Sequence, residues 1–118
     1  MPNRILSVSY DESLLWTRQM LLRKAGYEVT SALSFPEALE CCKKGDLDLV
    51  IIGHSIPRED KRALAQEAKR HPKTKVLSVL RSTTPPLAEA DYSVKSDEGP
   101  EALIIAVQKV LGETEDQS

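Results

Sequence analysis

The sequence predicts a single α/β domain built on a parallel sheet with helices on both faces. Short apolar runs rich in β-branched residues alternate with amphipathic segments, and glycine or proline stands at most junctions. The middle run, Leu49–Ile52, is continuously apolar and is closed by Gly53 and Pro57, which favours a strand buried on both faces. Ligands of such sheets bind outside the carboxyl ends of the strands, so chemistry is expected beside Gly53, which has no side chain.

The composition indicates the class of protein. The 118 residues are 41% hydrophobic and 29% charged with a formal net charge of −2, which is typical of a soluble domain and not of a general nucleic-acid binder. We predict one domain over residues 1–112 and an acidic tail over residues 113–118. No apolar run is long enough to span a bilayer or to act as an export signal. The adjacent Cys41 and Cys42 suit no structural disulfide, so we expect reduced thiols and a cytoplasmic location.

The remaining elements follow from apolar runs and helix boundary residues. Further strands are predicted over residues 4–9, 28–32, 75–80 and 91–94. Helices are predicted over residues 10–25, 34–44, 57–70 and 97–111, with a capping box of Ser34 and Glu37 opening the second. Residues 81–90 contain Ser-Thr-Thr-Pro-Pro, so at most one helical turn is expected there, over residues 87–90.

Helical periodicity assigns a core side to the first and last helices. In the first helix this side consists of Leu14, Arg18, Leu21, Leu22 and Ala25, with Leu15 at its edge. Trp16 and Met20, four residues apart, point away from it. In the last helix the core side consists of Leu103, Ala106, Val107, Val110 and Leu111, and Ile105 points away.

Six short motifs occur in a recognisable order. They are Ile5-Leu6-Ser7-Val8, Ala25-Gly26-Tyr27-Glu28-Val29, Glu37-Ala38-Leu39, Asp48-Leu49-Val50-Ile51-Ile52, Pro57 and Tyr92-Ser93-Val94-Lys95. In this order and spacing, over almost the whole chain, they resemble the receiver domain of two-component response regulators. The resemblance implies a flavodoxin-like, doubly wound five-stranded parallel sheet of order 2-1-3-4-5, with the first and last helices on one face. Only eleven residues separate Leu80 from Tyr92, where receivers have a helix, so the fourth helix is expected to be shortened or missing.

The resemblance also implies a site, and in this chain that site is degenerate. Receivers take a phosphoryl group from a histidine kinase onto an aspartate, with a divalent cation held by further carboxylates. The acceptor position falls on Gly53, so no acyl phosphate can form there. The two metal-holding positions fall on Ser9 and Tyr10, and the switch hydroxyl falls on Leu80. We therefore expect no catalytic residue, no metal and no cofactor.

Lys95 and the switch aromatic Tyr92 match the receiver pattern. Without carboxylates around it, Lys95 is either exposed to water, paired with an acid such as Asp11, or part of a site for a small anion. The candidate partners of Lys95 in an anion site are Ser55, Ser82 and Thr83.

The other polar candidates have stronger structural interpretations. Asp11 and Glu12 suit the start of a helix better than a metal site. Asp48 suits a solvated or loop-bonded role better than catalysis. His54 has no evident base–acid partner and suits a surface loop. The two cysteines suit helix packing better than redox sensing.

Trp16, Met20 and Ile105 are the candidate interface residues. The first and last helices are neighbours on the receiver scaffold, so these side chains are expected to form one exposed apolar patch. The alternative is that they pack against each other.

The sequence favours a stand-alone pseudo-receiver that is not an enzyme. It is expected to bind a protein partner in bacterial two-component or phosphorelay signalling, namely a histidine kinase, another regulator or a second copy through the first and last helices. The alternative is a ligand-responsive module that binds a small anion or nucleotide near Lys95. An enzyme that uses Asp11, Asp48 or His54 is least favoured, because no nucleophile–base pair stands out. No nucleic-acid or membrane partner is expected.

Overall fold

The structure, a computed structural model, describes residues 3–81 and 85–112. Its strands are β1 (Arg4–Val8), β2 (Glu28–Ala32), β3 (Leu49–Ile52), β4 (Lys75–Leu80) and β5 (Tyr92–Lys95). Its helices are α1 (Glu12–Lys24), α2 (Phe35–Lys44), α3 (Arg58–Lys69) and α4 (Pro100–Val110), with a 3-10 turn at Ser96–Glu98. The strands form one parallel sheet in the order β2-β1-β3-β4-β5, which confirms the expected fold class.

The central strand β3 separates two hydrophobic cores. Successive side chains of a strand point to opposite faces, so Leu49 and Ile51 pack with residues of α1 and α4, while Val50 and Ile52 pack with residues of α2 and α3. All four side chains are fully buried. The prediction of a strand buried on both faces is confirmed.

Capping residues determine where two helices begin. The Ser34 hydroxyl accepts the Glu37 N–H at 3.4 Å, and the Glu37 carboxylate accepts the Leu33 N–H at 3.0 Å, so the predicted capping box is formed. The Asp11 carboxylate accepts the Leu14 N–H at 3.2 Å at the start of α1. The interpretation of Asp11 as a helix-start residue is confirmed.

The connection from β4 to β5 contains no helix in its described residues, 81 and 85–91. Leu87 is buried in the core that faces α2 and α3, and it anchors the loop. The Asp91 carboxylate accepts the Val76 N–H at 2.8 Å, and the Asp91 N–H donates to the Val76 carbonyl at 2.9 Å. These contacts fix the entry to β5, which begins at Tyr92, one residue later than predicted.

The orientation of α1 differs from the prediction. Its buried residues are Leu15, Arg18, Gln19 and Leu22. Leu14 and Leu21 are only half-buried, and Ala25 is exposed. The polar Gln19 is buried because its amide oxygen accepts a 2.6 Å hydrogen bond from Ser31 in β2. In the described residues, no helix has the length and apolar character that crossing a membrane requires.

Candidate functional site

The turn that follows β1 is tied to the turn that follows β3. The fully buried Ser9 hydroxyl accepts the Asp11 N–H at 3.1 Å and lies 3.3 Å from the Ser55 hydroxyl. The Ser55 hydroxyl also accepts the Tyr10 N–H at 3.2 Å. Ser9 and Ser55 therefore hold the two turns together at the carboxyl edge of the sheet.

Tyr10, at the second metal-holding position of the resemblance, is engaged with α3. Its hydroxyl donates to the Asp60 carboxylate at 2.9 Å. Burial, the hydrogen bond to Asp60 and the charge of Asp60 raise the pKa of Tyr10 well above its usual range. Tyr10 is therefore a neutral hydrogen-bond donor at physiological pH and offers no anionic ligand.

Gly53 lies under the guanidinium group of Arg18. The Gly53 N–H donates to the Val8 carbonyl at 2.9 Å, continuing the sheet by one residue. A β-carbon added to Gly53 would lie 2.9 Å from both Arg18 Nη1 and the Val8 carbonyl oxygen. The space that a side chain at this position needs is therefore filled by a cation from α1 and by backbone.

Arg18 is a buried cation that forms no ion pair with the described residues. The residue is 7% exposed, and its Nη1 atom makes no hydrogen bond to the part of the chain that the structure describes. Burial lowers the pKa of Arg18, and the charge of Asp11 opposes that shift. A buried donor without an acceptor is uncommon in folded proteins and is destabilising.

Two more cations, Lys61 and Arg81, act together with Arg18 on His54. Lys61 of α3 is 6% exposed, and burial together with the charge of Arg58 lowers its pKa. His54 accepts a 3.3 Å hydrogen bond from Arg81 at its Nδ1 atom. Burial and the charges of Arg18, Arg81 and Lys61 lower the pKa of His54, with Asp11 as the opposing acid. We call Arg18, Lys61 and Arg81, together with the His54 imidazole whose pKa they lower, the cationic cluster.

These residues do not fit the divalent cation that the resemblance implies. Mg²⁺ binds oxygen ligands, mainly carboxylates, whereas Ser9 and Tyr10 are neutral, Gly53 has no ligand and Arg18 brings a positive charge. In the described ranges, no group of three or more His, Cys, Asp or Glu side chains is placed to hold a metal. The electrostatics of this edge select anions over cations.

The remaining predicted site residues that the structure describes lie on β4 and β5. Leu80 is buried at the end of β4, whereas Lys95 and Tyr92 on β5 are exposed. In the described chain Lys95 forms no ion pair, so the interpretation of a water-exposed lysine fits. Ser82 and Thr83 lie outside the described residues.

A cavity of about 170 Å³ opens between α1, β5 and α4. Arg18 and Lys95 border it. Its other lining residues are mainly apolar: Leu14, Thr17, Leu21, Val79, Val94, Ser96, Gly99, Pro100 and Leu103. Leu14 and Leu21 of α1, which were both expected in the core, thus line a cavity.

Other sequence candidates have structural roles. Asp48 accepts the Arg4 N–H at 2.8 Å and lies at the opposite, amino edge of the sheet. Burial raises the pKa of Cys42 to about 12 and also raises that of Cys41, so both thiols stay protonated. His54 lies in the turn that follows β3, as expected for a loop residue, and is half-buried.

The apolar residues proposed as an interface are exposed, as expected: Trp16 by 54%, Met20 by 64% and Ile105 by 50%. Trp16 borders a groove with Gln19, Leu33 and residues of β2, however, whereas the side of α1 that faces α4 carries Leu14, Thr17 and Leu21. The expectation that Trp16, Met20 and Ile105 form one patch stays a prediction, as does their role in an interface.

Two site residues, Arg18 and Lys61, are not among those predicted from the sequence. Arg18 had been placed on the core side of α1, and an arginine among leucines was a usable indication of a buried charge. Lys61 had no such indication, because it lies in a highly charged helix whose orientation the sequence defines poorly.

Comparison with known proteins gives structural matches only. No protein-family model and no curated protein matches the chain. A CheY-like receiver domain protein from Methanospirillum hungatei is 24% identical over 100% of both chains, with a TM-score of 0.81. One from Clostridium thermocellum is 20% identical over 98% of this chain and 99% of its own, also at 0.81. A response regulator from Thermotoga maritima in complex with Mg²⁺-BeF is 24% identical over 92% of this chain and 98% of its own, at 0.77. The chain therefore has the fold of CheY-like receiver domains.

Proposed function

We propose that this chain is a pseudo-receiver: a response-regulator-like signalling module that accepts no phosphoryl group and acts by binding a protein partner. The observation that carries the proposal is Arg18 Nη1 lying against Gly53. Phosphoryl transfer to a receiver needs a carboxylate nucleophile and a bound cation. Gly53 offers no nucleophile, and Arg18 repels the metal.

The chemical basis of the proposal extends to the neighbours of Gly53. The neutral Ser9 and Tyr10 are both engaged in hydrogen bonds within the protein. His54 accepts a hydrogen bond from Arg81 and has no carboxylate partner in the described chain that would orient it as a nucleophile. An alternative acceptor at this edge is therefore unsupported.

The partner is proposed to be a histidine kinase, another regulator or a second copy of the chain in bacterial two-component or phosphorelay signalling. Exposed Trp16, Met20 and Ile105 are candidate contacts, because exposed aromatic and methionine side chains are enriched at interfaces. Trp16 and Met20 lie on α1 and Ile105 lies on α4, so substitutions on the two helices can be tested independently.

Incubation with acetyl phosphate and Mg²⁺, followed by intact-mass spectrometry, tests the absence of phosphoryl transfer. We expect no change in mass, while an active receiver domain treated in parallel gains a labile phosphoryl group. A labile adduct of one phosphoryl group on this chain would refute the proposal.

The binding surfaces are tested separately, by affinity capture from the native host and by sedimentation analysis of the purified chain. If the α1 surface is used, Met20→Ser abolishes capture of the partner, or formation of the homodimer, and Ile105→Ser does not. The reverse result would assign the α4 surface. A wild-type chain that stays monomeric and captures no signalling protein contradicts the interaction role.

The second candidate is a ligand-responsive module that binds a small anion or nucleotide at the strand ends near Lys95. The cationic cluster favours it, because it holds the positive charge that such a ligand needs. The Ser55 hydroxyl is already engaged by Tyr10 and Ser9, which weakens its case as a ligand. A panel of nucleotides and phosphates that leaves the melting temperature unchanged would contradict this candidate.

A further inference from the structure

We infer that the cavity between α1, β5 and α4 binds a small organic carboxylate, with its carboxylate towards Arg18 and Lys95 and its apolar body between the helices. The inference rests on the proposed absence of phosphoryl chemistry at Gly53, because a metal at that edge would compete for the same anion. It differs from the second candidate function in the class of ligand, a carboxylate with an apolar body, and in the position of that ligand between the helices.

The first argument is the unpaired charge. Arg18 is 7% exposed, its Nη1 atom is unsatisfied, and in the described ranges it forms no ion pair. Asp11 is the acid that acts on it, and its carboxylate already accepts the Leu14 N–H. An anion in the cavity that Arg18 borders would compensate this charge electrostatically, without reaching Nη1, which lies against Gly53.

The second argument is the lining of the cavity. Leu14 and Leu21 from α1 face Val79, Val94 and Leu103 from the sheet and α4, and they remain only partly covered where helix packing usually fills such space. Inorganic phosphate or a nucleotide phosphate gains nothing from such walls. A carboxylate with a hydrocarbon body uses both the cations and the walls.

The third argument is size. The cavity volume is about 170 Å³. An apolar cavity of roughly 150 Å³ in another protein holds benzene, so a carboxylate of benzoate or hexanoate size suits this one. Larger amphiphiles such as long-chain fatty acids exceed it.

The experiment measures the melting temperature of the full chain with benzoate or hexanoate as probes, against benzyl alcohol, 1-hexanol and inorganic phosphate. At ten times its dissociation constant, either carboxylate is expected to raise the melting temperature by about 5 °C. The alcohols and phosphate are expected to have much smaller effects. Equal shifts with the alcohols, equal shifts with phosphate, or no shift with either carboxylate would overturn the inference.

Variants locate the ligand. Arg18→Met removes the charge and keeps the stem, and it should abolish the shift, whereas Lys24→Met, which removes an exposed charge from the same helix, should keep it. Leu21→Phe fills the cavity and leaves both cations in place, so it should also abolish the shift. Retention of the shift in both Arg18→Met and Leu21→Phe would place the ligand elsewhere and refute the inference.

Nuclear magnetic resonance gives an independent readout. Benzoate should perturb the methyl resonances of Val79, Val94 and Leu103, while those of Leu64 and Val50 in the opposite core stay unchanged. The reverse pattern contradicts the assignment. A phosphoryl adduct in the mass experiment would refute the proposed function, whereas the lack of a shift with either carboxylate would refute the inference and leave the proposed function standing, because carboxylate binding is measured without acetyl phosphate.

Discussion

Charged side chains form ion pairs at the amino edge of the sheet, whereas among the described residues the cations at the carboxyl edge are unpaired. At the amino edge, Arg4 pairs with Asp46 at 2.7 Å, Lys69 pairs with Asp91 at 2.5 Å, and Lys73 lies 3.7 Å from Asp48. At the carboxyl edge, Arg18, Lys61 and Lys95 form no ion pair with the residues that the structure describes. Both edges belong to one small domain and both carry lysine and arginine side chains. The difference therefore lies in whether acids are placed beside these cations.

The comparison separates structural charges from functional ones. Charges at the amino edge join neighbouring strands and helices, and pairing lets them do so at little cost in desolvation. The unpaired charges at the carboxyl edge lie where ligands of parallel sheets bind. A buried donor without a hydrogen-bond acceptor, such as Arg18 Nη1, destabilises the fold, and destabilising features of this kind are typical of functional sites.

The largest expected effect concerns the contact under Arg18. Gly53→Ala should reduce the free energy of unfolding by about 3 kcal/mol, because its β-carbon meets the Val8 carbonyl and Arg18 Nη1 at 2.9 Å. Gly53→Asp meets the same crowding but brings a carboxylate to Arg18, so it should be less destabilising than alanine. Urea unfolding of both variants measures this. An aspartate variant less stable than the alanine variant would contradict the unpaired state of Arg18.

Gly53→Asp is also expected to remain without phosphoryl transfer. The new carboxylate would pair with Arg18, and Ser9 and Tyr10 would still provide no metal-binding charge. Intact-mass spectrometry after acetyl phosphate treatment checks it. A phosphorylated variant would show that a single substitution separates this chain from an active receiver.

The second largest effect is expected at the most buried ion pair of the amino edge, which joins Lys69 and Asp91. Asp91→Ala should lower the free energy of unfolding by about 2 kcal/mol, because the Val76 N–H and Lys69 lose their acceptor. Asp91→Asn keeps an acceptor for Val76 and should lose less. Denaturant unfolding curves at neutral pH compare the two variants, and an equal loss in both would assign the effect to charge alone.

The same pair predicts a pH dependence. Burial opposes ionisation of Asp91, but hydrogen bonds from Lys69 and the Val76 N–H outweigh it and lower the pKa of the carboxyl group. A depressed folded-state pKa stabilises the protein above the unfolded value of about 3.9, and this stabilisation is lost as the pH falls through the folded pKa. Asp91→Asn should therefore flatten the stability profile below about pH 4. An unchanged profile would mean that Asp91 gains nothing from its partners.

The sequence predicted the sheet better than the site, for a physical reason. Buried strands such as Leu49–Ile52 are defined by local apolar runs and by the residues that close them, and the capping box of Ser34 and Glu37 is equally local. The core side of α1 was predicted only in part: Arg18 and Leu22 are buried as expected, but Gln19 is also buried, through a bond to Ser31, a partner twelve residues away. Arg18 against Gly53 is likewise a contact between distant residues, which no local pattern contains.

That position 53 carries no carboxylate was nevertheless readable from the residues that match the receiver pattern. Which side chains surround that position was not. The sequence pointed to Lys95 as the uncompensated cation, whereas the structure places Arg18 and Lys61 in the buried positions and leaves Lys95 exposed. A solvated lysine is stabilised by water, so the buried cations carry the stronger functional argument.

The third effect is a gain. Arg18→Met should raise the free energy of unfolding by about 1 kcal/mol, because it removes a buried unpaired charge and keeps an apolar stem of similar length. Lys24→Met, an exposed cation on the same helix, should be neutral within about 0.5 kcal/mol. Thermal and denaturant unfolding of the two variants measure the difference. A destabilised Arg18→Met would show that the guanidinium supports the fold and would remove the contrast between the edges.

The smallest effect tests whether pairing at the amino edge is itself stabilising. Arg4 and Asp46 have side chains that are 51% and 57% exposed, so their ion pair is solvated although it is short. Asp46→Ala should lower the free energy of unfolding by only about 0.5 kcal/mol, and less in high salt, because water and ions screen exposed pairs. Unfolding in low and high salt checks both statements. A loss as large as that of Asp91→Ala would mean that the stability of the amino edge depends on each of its ion pairs. The small loss expected here means instead that pairing at this edge chiefly prevents buried, unpaired charges of the kind seen at the carboxyl edge.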